Sequence, residues 1–442
     1  RLDMRWFQLN KNLEFPSGSV DSGDSLSILS VNYRGDILGT SGWKFLAGLK
    51  DWSLNQDFFS SLNEYLSDHS RNIHISKLIN WWDFEGTVQY EAEYQTFDGD
   101  KSYFNINGDP TVHHIADMER NTDALAFVTR WSADADHPNI DFINWELSYR
   151  MDQIETFQNE HYEFPLLVTE GQPIIYDVPQ SRELKHVSSK RLGIHLEGRG
   201  EKTWYSIFVN QGNNQRLPTL ADLFRFSNTE TDSLLDSLLS SEYLNTTELN
   251  LQLRISNPQT ELPIDEVSLG LDVFMNGYTD KIAYRVFEGT PAIPFNEPVA
   301  EIRGVEAMVG LRMLSDRFLL STSATFLDIS SPLVFPNKPE YRLVFTSELN
   351  LDWLVLSMDH VNEGEQYFFI PGIGEGLRKP RENANLNVTL RKRLLGLDWS
   401  LSYTWRNILS KDELDWTLEE SLRRGFNYFE KYREIVNLKV EL

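Results

Sequence analysis

The sequence predicts an all-β fold: a transmembrane antiparallel β-barrel of about 18 strands, with long loops on one side and short turns on the other. The first observation is the length and fidelity of alternation between apolar and polar residues. In 249–256 the apolar set is Leu249, Leu251, Leu253 and Ile255, against Asn250, Gln252, Arg254 and Ser256. In 265–275 it is Val267, Leu269, Leu271, Val273 and Met275, against Glu266, Ser268, Gly270 and Asp272. Segment 384–391 sets Ala384, Leu386, Val388 and Leu390 against Asn385, Asn387, Thr389 and Arg391. Segment 397–406 sets Leu397, Trp399, Leu401, Tyr403 and Trp405 against Asp398, Ser400, Ser402, Thr404 and Arg406. Successive strand side chains point to opposite faces, so each segment has one oily and one wet face. Strands of soluble sandwiches average about five or six residues, whereas a membrane-spanning strand needs about nine to eleven. The second observation is that connections alternate between short and long. The third is a mean hydropathy of −0.40 beside 17 Tyr, 12 Trp and 26 Phe. A barrel reconciles these, because only alternate residues meet lipid while aromatics collect at the interfaces.

Taken in order, alternation places strands at 3–10, 25–34, 41–52, 72–82, 84–97, 124–136, 140–157, 189–199 and 201–212. The second half adds 244–256, 265–286, 300–313, 317–328, 340–351, 353–364, 383–394, 397–408 and 432–442. Connections after even-numbered strands are short: Asp83, Gly200, Leu314-Ser315-Asp316, Asp352 and Leu395-Gly396. Those after odd-numbered strands include the long segments 53–71, 98–123, 158–188, 213–243 and 409–431. An even strand count with short turns facing the periplasm puts both termini there. Helical spacing over Leu234–Tyr243 and Trp416–Phe429 predicts short helices within two of the long loops.

Composition excludes several classes. A formal charge of −25, from 66 acidic and 41 basic residues, argues against nucleic-acid binding. Cysteine is absent, which removes disulfides, thiolate catalysis and cysteine metal sites. No apolar run is long enough for a membrane helix. No nucleophile elbow, zincin helix or Ser/His/Asp constellation occurs, so no enzymatic function and no cofactor are expected.

Candidate sites are few. His113 and His114, with Asp109, Asp117 and Glu119, form a possible metal cluster in one long loop, against which stands a solvated role. Asp134, Asp136 and Asp141 around His137-Pro138 resemble a calcium loop in composition only. Acids Glu85, Glu91, Glu93, Glu146, Glu266 and Glu306 share lumenal parity with Arg150, Arg254, Arg312, Arg391 and Arg406. They make either a selectivity-setting wall or a network that hydrates and braces the lumen. Trp145, Trp204, Trp353, Trp399 and Trp405 fall near strand ends, as interfacial girdle residues do. Loop aromatics Tyr103, Phe104, Tyr162, Phe164, Tyr367, Phe368 and Phe369 are candidates for ligand stacking or for packing their own loops.

Three motifs are more specific. Arg216-Leu-Pro218-Thr219 with Leu223-Phe224, Phe274-Met-Asn276-Gly-Tyr278-Thr-Asp280-Lys-Ile282, and Asn296 followed by Gly304-Val-Glu306 occur in this order. They resemble, in residues and spacing, segments of the TonB-dependent outer-membrane receptors over roughly residues 190–442. The resemblance implies integral residence in the cell outer membrane, contact with its lipid and lipopolysaccharide, and import of a ligand bound by the outer loops. Members of that family usually have 22 strands and an N-terminal plug. Residues 1–442 are expected to form the barrel domain, with the plug absent from this sequence and the lumen filled by a separate plug, a partner protein or inward-folded loops. The alternative is a plugless scaffold barrel that anchors partner proteins.

Overall fold

The computed structural model describes residues 2–14, 20–37, 40–58, 62–104, 110–137, 139–159, 161–165, 176–178, 180–226, 239–258, 263–285, 293–370, 374–378, 380–394, 397–409 and 433–441. The first strands are β1 (Leu2–Glu14), β2 (Val20–Ile37), β3 (Thr40–Phe58), β4 (Leu62–Trp81), β5 (Phe84–Phe104), β6 (Pro110–His137) and β7 (Ile140–Gln158). After the short β8 (His161–Pro165) and β9 (Tyr176–Val178) come β10 (Ser181–Arg199), β11 (Thr203–Arg216) and the helix α1 (Leu220–Phe226). The second half runs β12 (Glu242–Ser256), β13 (Ile264–Arg285), β14 (Ile293–Met313), β15 (Phe318–Ile329), a 3₁₀ turn (Pro332–Val334), β16 (Tyr341–Leu351) and β17 (Leu354–Glu363). The hairpin β18 (Gln366–Ile370) and β19 (Gly374–Arg378) precedes β20 (Arg381–Leu394), β21 (Leu397–Arg406) and β22 (Arg433–Glu441).

Eighteen strands, β1–β7, β10–β17 and β20–β22, form one antiparallel wall, and the β8–β9 ladder attached to β6 brings the sheet to 20. Every wall strand pairs with its neighbour in chain order, the up-and-down pattern that hairpin connections impose. Among the described residues no ladder joins β1 to β22. The predicted parity holds. Leu251 pairs with Ile207 and Leu271, and Leu269, Leu271, Val273, Met275, Leu390 and Leu401 are exposed on the outer face. One turn end carries an aromatic band: Trp81 stacks on Trp82 at 5.3 Å, and Phe84 meets Trp145 edge-on at 6.0 Å.

The strands run much further than the apolar alternation that betrays them. The 53–71 loop is mostly strand, since β3 ends at Phe58 and β4 begins at Leu62. The 98–123 loop likewise divides between β5 and β6, so Tyr103, Phe104, His113 and His114 stand on strands and not in a loop. Beyond the bilayer both faces of a hairpin meet water, so the alternation fades while the backbone ladder continues. Tyr162 and Phe164 fall on β8, and Tyr367, Phe368 and Phe369 on β18. Trp204 is corrected in orientation. It faces the lumen, donating from Nε1 to Glu197 Oε1 at 2.7 Å beneath the Arg254 guanidinium at 4.7 Å. The helix expected over Leu234–Tyr243 is not formed in its described part, where Glu242 and Tyr243 begin β12. The Trp416–Phe429 helix, Leu395-Gly396 and nearly all of 409–431 lie outside the described residues.

Candidate functional site: an occupied lumen

The connection after β11 turns inward. Pro218 cannot donate to a ladder, and the strand pairing stops at Arg216, two residues before it. Thr219 and Asp222 then cap one another. The Asp222 N–H donates to Thr219 Oγ1 at 3.1 Å, and the Thr219 N–H donates to Asp222 Oδ2 at 3.0 Å, a capping box with Asp in the third position. This starts the one described α-helix, α1.

The inner face of the wall receives that helix through an apolar seat. Leu220, Leu223 and Phe224 pack on Leu66 of β4, Phe97 of β5, and Ala116 and Met118 of β6. The Phe97 and Phe224 rings lie 5.9 Å apart, and a Cβ at Gly99 would sit 3.0 Å from the Phe224 ring. Polar clamps surround the seat. Arg225 donates to both carboxylate oxygens of the fully buried Glu64, Nε at 3.1 Å and Nη2 at 2.7 Å. Burial alone would lower the Arg225 pKa, and the adjacent Glu64 carboxylate, joined by Asp222, reverses this and raises it. Arg120 of β6 donates to the Pro218 carbonyl at 2.8 Å and to Thr156 of β7 at 3.1 Å. On its other flank the helix meets a distant part of the wall, where Tyr284 of β13 donates to Asp222 Oδ1 at 2.7 Å. Strands β7 and β10–β12 separate these two walls, so α1 lies across the lumen as a chord.

A second insertion lies beside it. Val334 and Phe335, from the connection after β15, pack on Ala283, Ala300 and Ile302, and Tyr278 tilts against Phe335 at 5.4 Å. The Lys281 ammonium sits over both rings, at 4.3 and 5.1 Å, and pairs with Glu242 at 3.5 Å. The β18–β19 hairpin is tied to the same insertion by the Asn337 N–H, which donates to the Tyr367 carbonyl at 2.6 Å.

The motif residues gather around these insertions. Arg216 lies 3.8 Å from Asp222, Pro218 accepts from Arg120, and Thr219 caps α1. Asp280 takes the left-handed φ of 52°, and its carbonyl accepts from the Asn296 amide at 2.7 Å, which also bridges to the Ser240 carbonyl. Gly304 leaves room for Phe274, whose ring would stand 2.2 Å from a Cβ there. Asn276 and Glu306 lie on the lumenal face, Glu306 directly opposite Asp272.

The remaining candidates separate. His113 and His114 occupy successive positions of β6, and among the described residues no group of three or more metal-capable side chains converges. The side chains of His113, His114, Tyr103, Phe104, Tyr162, Phe164, Phe368 and Phe369 lie outside the described ones. The lumenal charges pair across strands, Arg150 with Glu91, Arg130 with Glu146, and Glu266 with Arg312 at 3.7 Å, and Arg150 also pairs with Asp152 on its own strand. Asp141 is bridged by Arg199 at 3.6 Å.

Comparison with solved structures identifies the architecture. The copper transporter OprC superposes with a TM-score of 0.68 at 10% identity, over 93% of this chain and 64% of that one. The hemophore receptor HasR of Serratia marcescens, solved as a double mutant with its hemophore HasA and heme, gives 0.59 at 10% identity over 92% and 66%. The ferric yersiniabactin uptake receptor FyuA of Yersinia pestis gives 0.56 at 11% over 93% and 62%. The fold is that of the TonB-dependent receptor barrel. The chain spans about two thirds of the length of these receptor structures or slightly less. No family profile and no curated protein matches the sequence. The barrel here carries 18 described wall strands, with α1 of its own chain seated inside.

Proposed function

We propose that this barrel resides in the outer membrane, with both termini periplasmic, and binds and imports a ligand through its outer loops. The fold supports this reading, since the receptors that share it include a copper transporter, an uptake receptor for ferric yersiniabactin and a hemophore receptor. The observation that carries it furthest is the buried seat of α1. A closed scaffold would need only a braced wall, whereas an outer connection that crosses the lumen on a short helix makes a constriction with two possible positions. Released from Glu64 and Arg120, the same segment would widen the path that it narrows. Lipid contact follows from the exposed apolar outer face, and lipopolysaccharide contact from outer-membrane residence.

Planar-bilayer conductance of the purified chain tests this. The wild type should insert and conduct in small steps, and Glu64→Ala should give larger ones. Equal large steps from both would refute a constriction at α1, and would favour a barrel whose lumen is filled by another protein.

A further inference from the structure

A polar recess of about 820 Å³ lies in the lumenal wall directly below the point where β11 leaves for α1. Its floor spans β7, β10, β11, β12 and β13, roughly 20 Å across at the usual strand spacing, which is the length of a short chain of sugar-sized rings. Amides and hydroxyls dominate it: Asn210, Asn214, Asn276, Thr246, Ser148 and Ser189. Each of these groups both donates and accepts, the pattern that complements a hydroxyl.

Three further features specify the chemistry. Phe274 lines the recess with one edge supported against Gly304, offering an aromatic surface from the wall. Asp272 lines it with a buried Oδ1 that has no hydrogen-bond partner. A buried acceptor left without a donor is unfavourable, so a side-chain rotation that turned this oxygen to a ligand hydroxyl would satisfy it. The charges balance in a way that discourages anions. Arg150 is held by Glu91 and Asp152, which leaves Lys190 and Arg191, the latter donating to Asn210, against Glu248 and Asp272 in the same lining. Among the described residues no histidine, cysteine or methionine lines the recess, which offers no soft ligand there for a transition metal.

We propose that this recess binds a neutral, hydroxyl-rich ligand of the oligosaccharide class, with Phe274 under a ring face, Asn276 paired to hydroxyls and Asp272 accepting a hydroxyl proton. The assignment rests on the uptake reading and names its substrate class. Calorimetry on the detergent-solubilised chain tests it, with maltohexaose, cellohexaose, xylohexaose and chitohexaose at up to millimolar concentration and ferric tris-catecholate as the anionic comparator. At least one hexasaccharide should bind, with affinity indifferent to salt. Asp272→Ala and Asn276→Ala should each weaken it by on the order of tenfold, while both variants keep the heat-modifiable gel mobility of a folded barrel. Failure of all four sugars to bind overturns the proposal. So does catecholate binding that falls with salt, which would leave the uptake reading standing with an anionic ligand.

Discussion

The arc of wall from β4 to β6 and the arc from β20 to β22 obey the same outward rule and opposite inward ones. On β4–β6 the outer positions Ile73, Ile75, Val88, Leu125 and Phe127 are exposed and apolar, and the inner positions Leu66, Phe97 and Met118 are apolar too and fully buried. On β20–β21 the outer Leu390 and Leu401 are exposed, but the inner positions carry Thr389, Arg391, Ser400 and Ser402, with Thr389 and Ser402 sharing a hydrogen bond of 2.9 Å. The first arc is the footprint of a docked segment. The second is a wet wall on which no described residue is docked. Its last strand and β1 carry the most exposed apolar side chains of the sheet ends, Trp6 at 69% and Val436 at 64%.

The largest break in this contrast comes from charge left alone inside it. Glu64→Ala strands the Arg225 guanidinium in a buried seat, and removing one partner of a buried pair costs about 3–5 kcal/mol. Arg225→Ala should cost a similar amount, and the double variant little more than either, because both act through one interaction. In the wet arc, Glu382→Ala removes the exposed partner of His360 and should cost under about 1 kcal/mol. Urea titrations of detergent-refolded protein measure all four. Equal costs in the two arcs would mean that α1 is not seated.

Next in size is the outer rule that the arcs share. Leu251→Arg and Leu401→Arg place a charge against lipid at about 2–4 kcal/mol, while Asn250→Arg and Ser402→Arg face water inside. Destabilisation of both members of each pair in the same titration would invert the assigned parity.

How much of this could be read beforehand divides along the same line. Parity, strand number and the lumenal positions of Glu91, Arg150, Glu266 and Arg312 were legible, because lipid enforces alternation on every spanning segment. Strand ends were not, since hairpins above the bilayer lose the apolar face while keeping the ladder. The motif residues were legible as architecture, but not as parts of one inward-folded structure, because Thr219–Asp222 is local while Arg120–Pro218 and Arg225–Glu64 are contacts far apart in sequence. A usable signal existed. Leu66, Phe97 and Met118 stand at lumenal parity where water would demand polar residues, and Trp204 at the same parity announced a partner for its N–H.

A smaller change sharpens how tightly the second insertion is packed. Gly304→Val would set its side chain against the Phe274 ring and Leu327, and overpacking of this kind costs about 1–3 kcal/mol. Gly270 on the neighbouring strand has its nearest atom at 3.6 Å, so Gly270→Ala should change stability far less. Comparable losses at both positions would place the cost in strand propensity rather than in the packing of Phe274.

The smallest expected effect isolates the helix from its seat. Thr219→Ala deletes the hydroxyl that accepts the Asp222 N–H and should cost about 1 kcal/mol, while Thr219→Ser keeps that acceptor and should cost little. Asp222→Asn is the sharper case, because Asp222 caps the helix, lies near Arg216 and accepts from Tyr284. An amide has one acceptor oxygen where the carboxylate uses two, so it keeps the bond from either the Thr219 N–H or the Tyr284 hydroxyl, and it loses the charge that faces Arg216. If the buried ion pair keeps α1 across the lumen, Thr219→Ala lowers stability without enlarging the conductance steps, and Glu64→Ala does both. Enlarged steps from Thr219→Ala alone would show that helix formation, and not the buried ion pair, keeps the segment across the lumen.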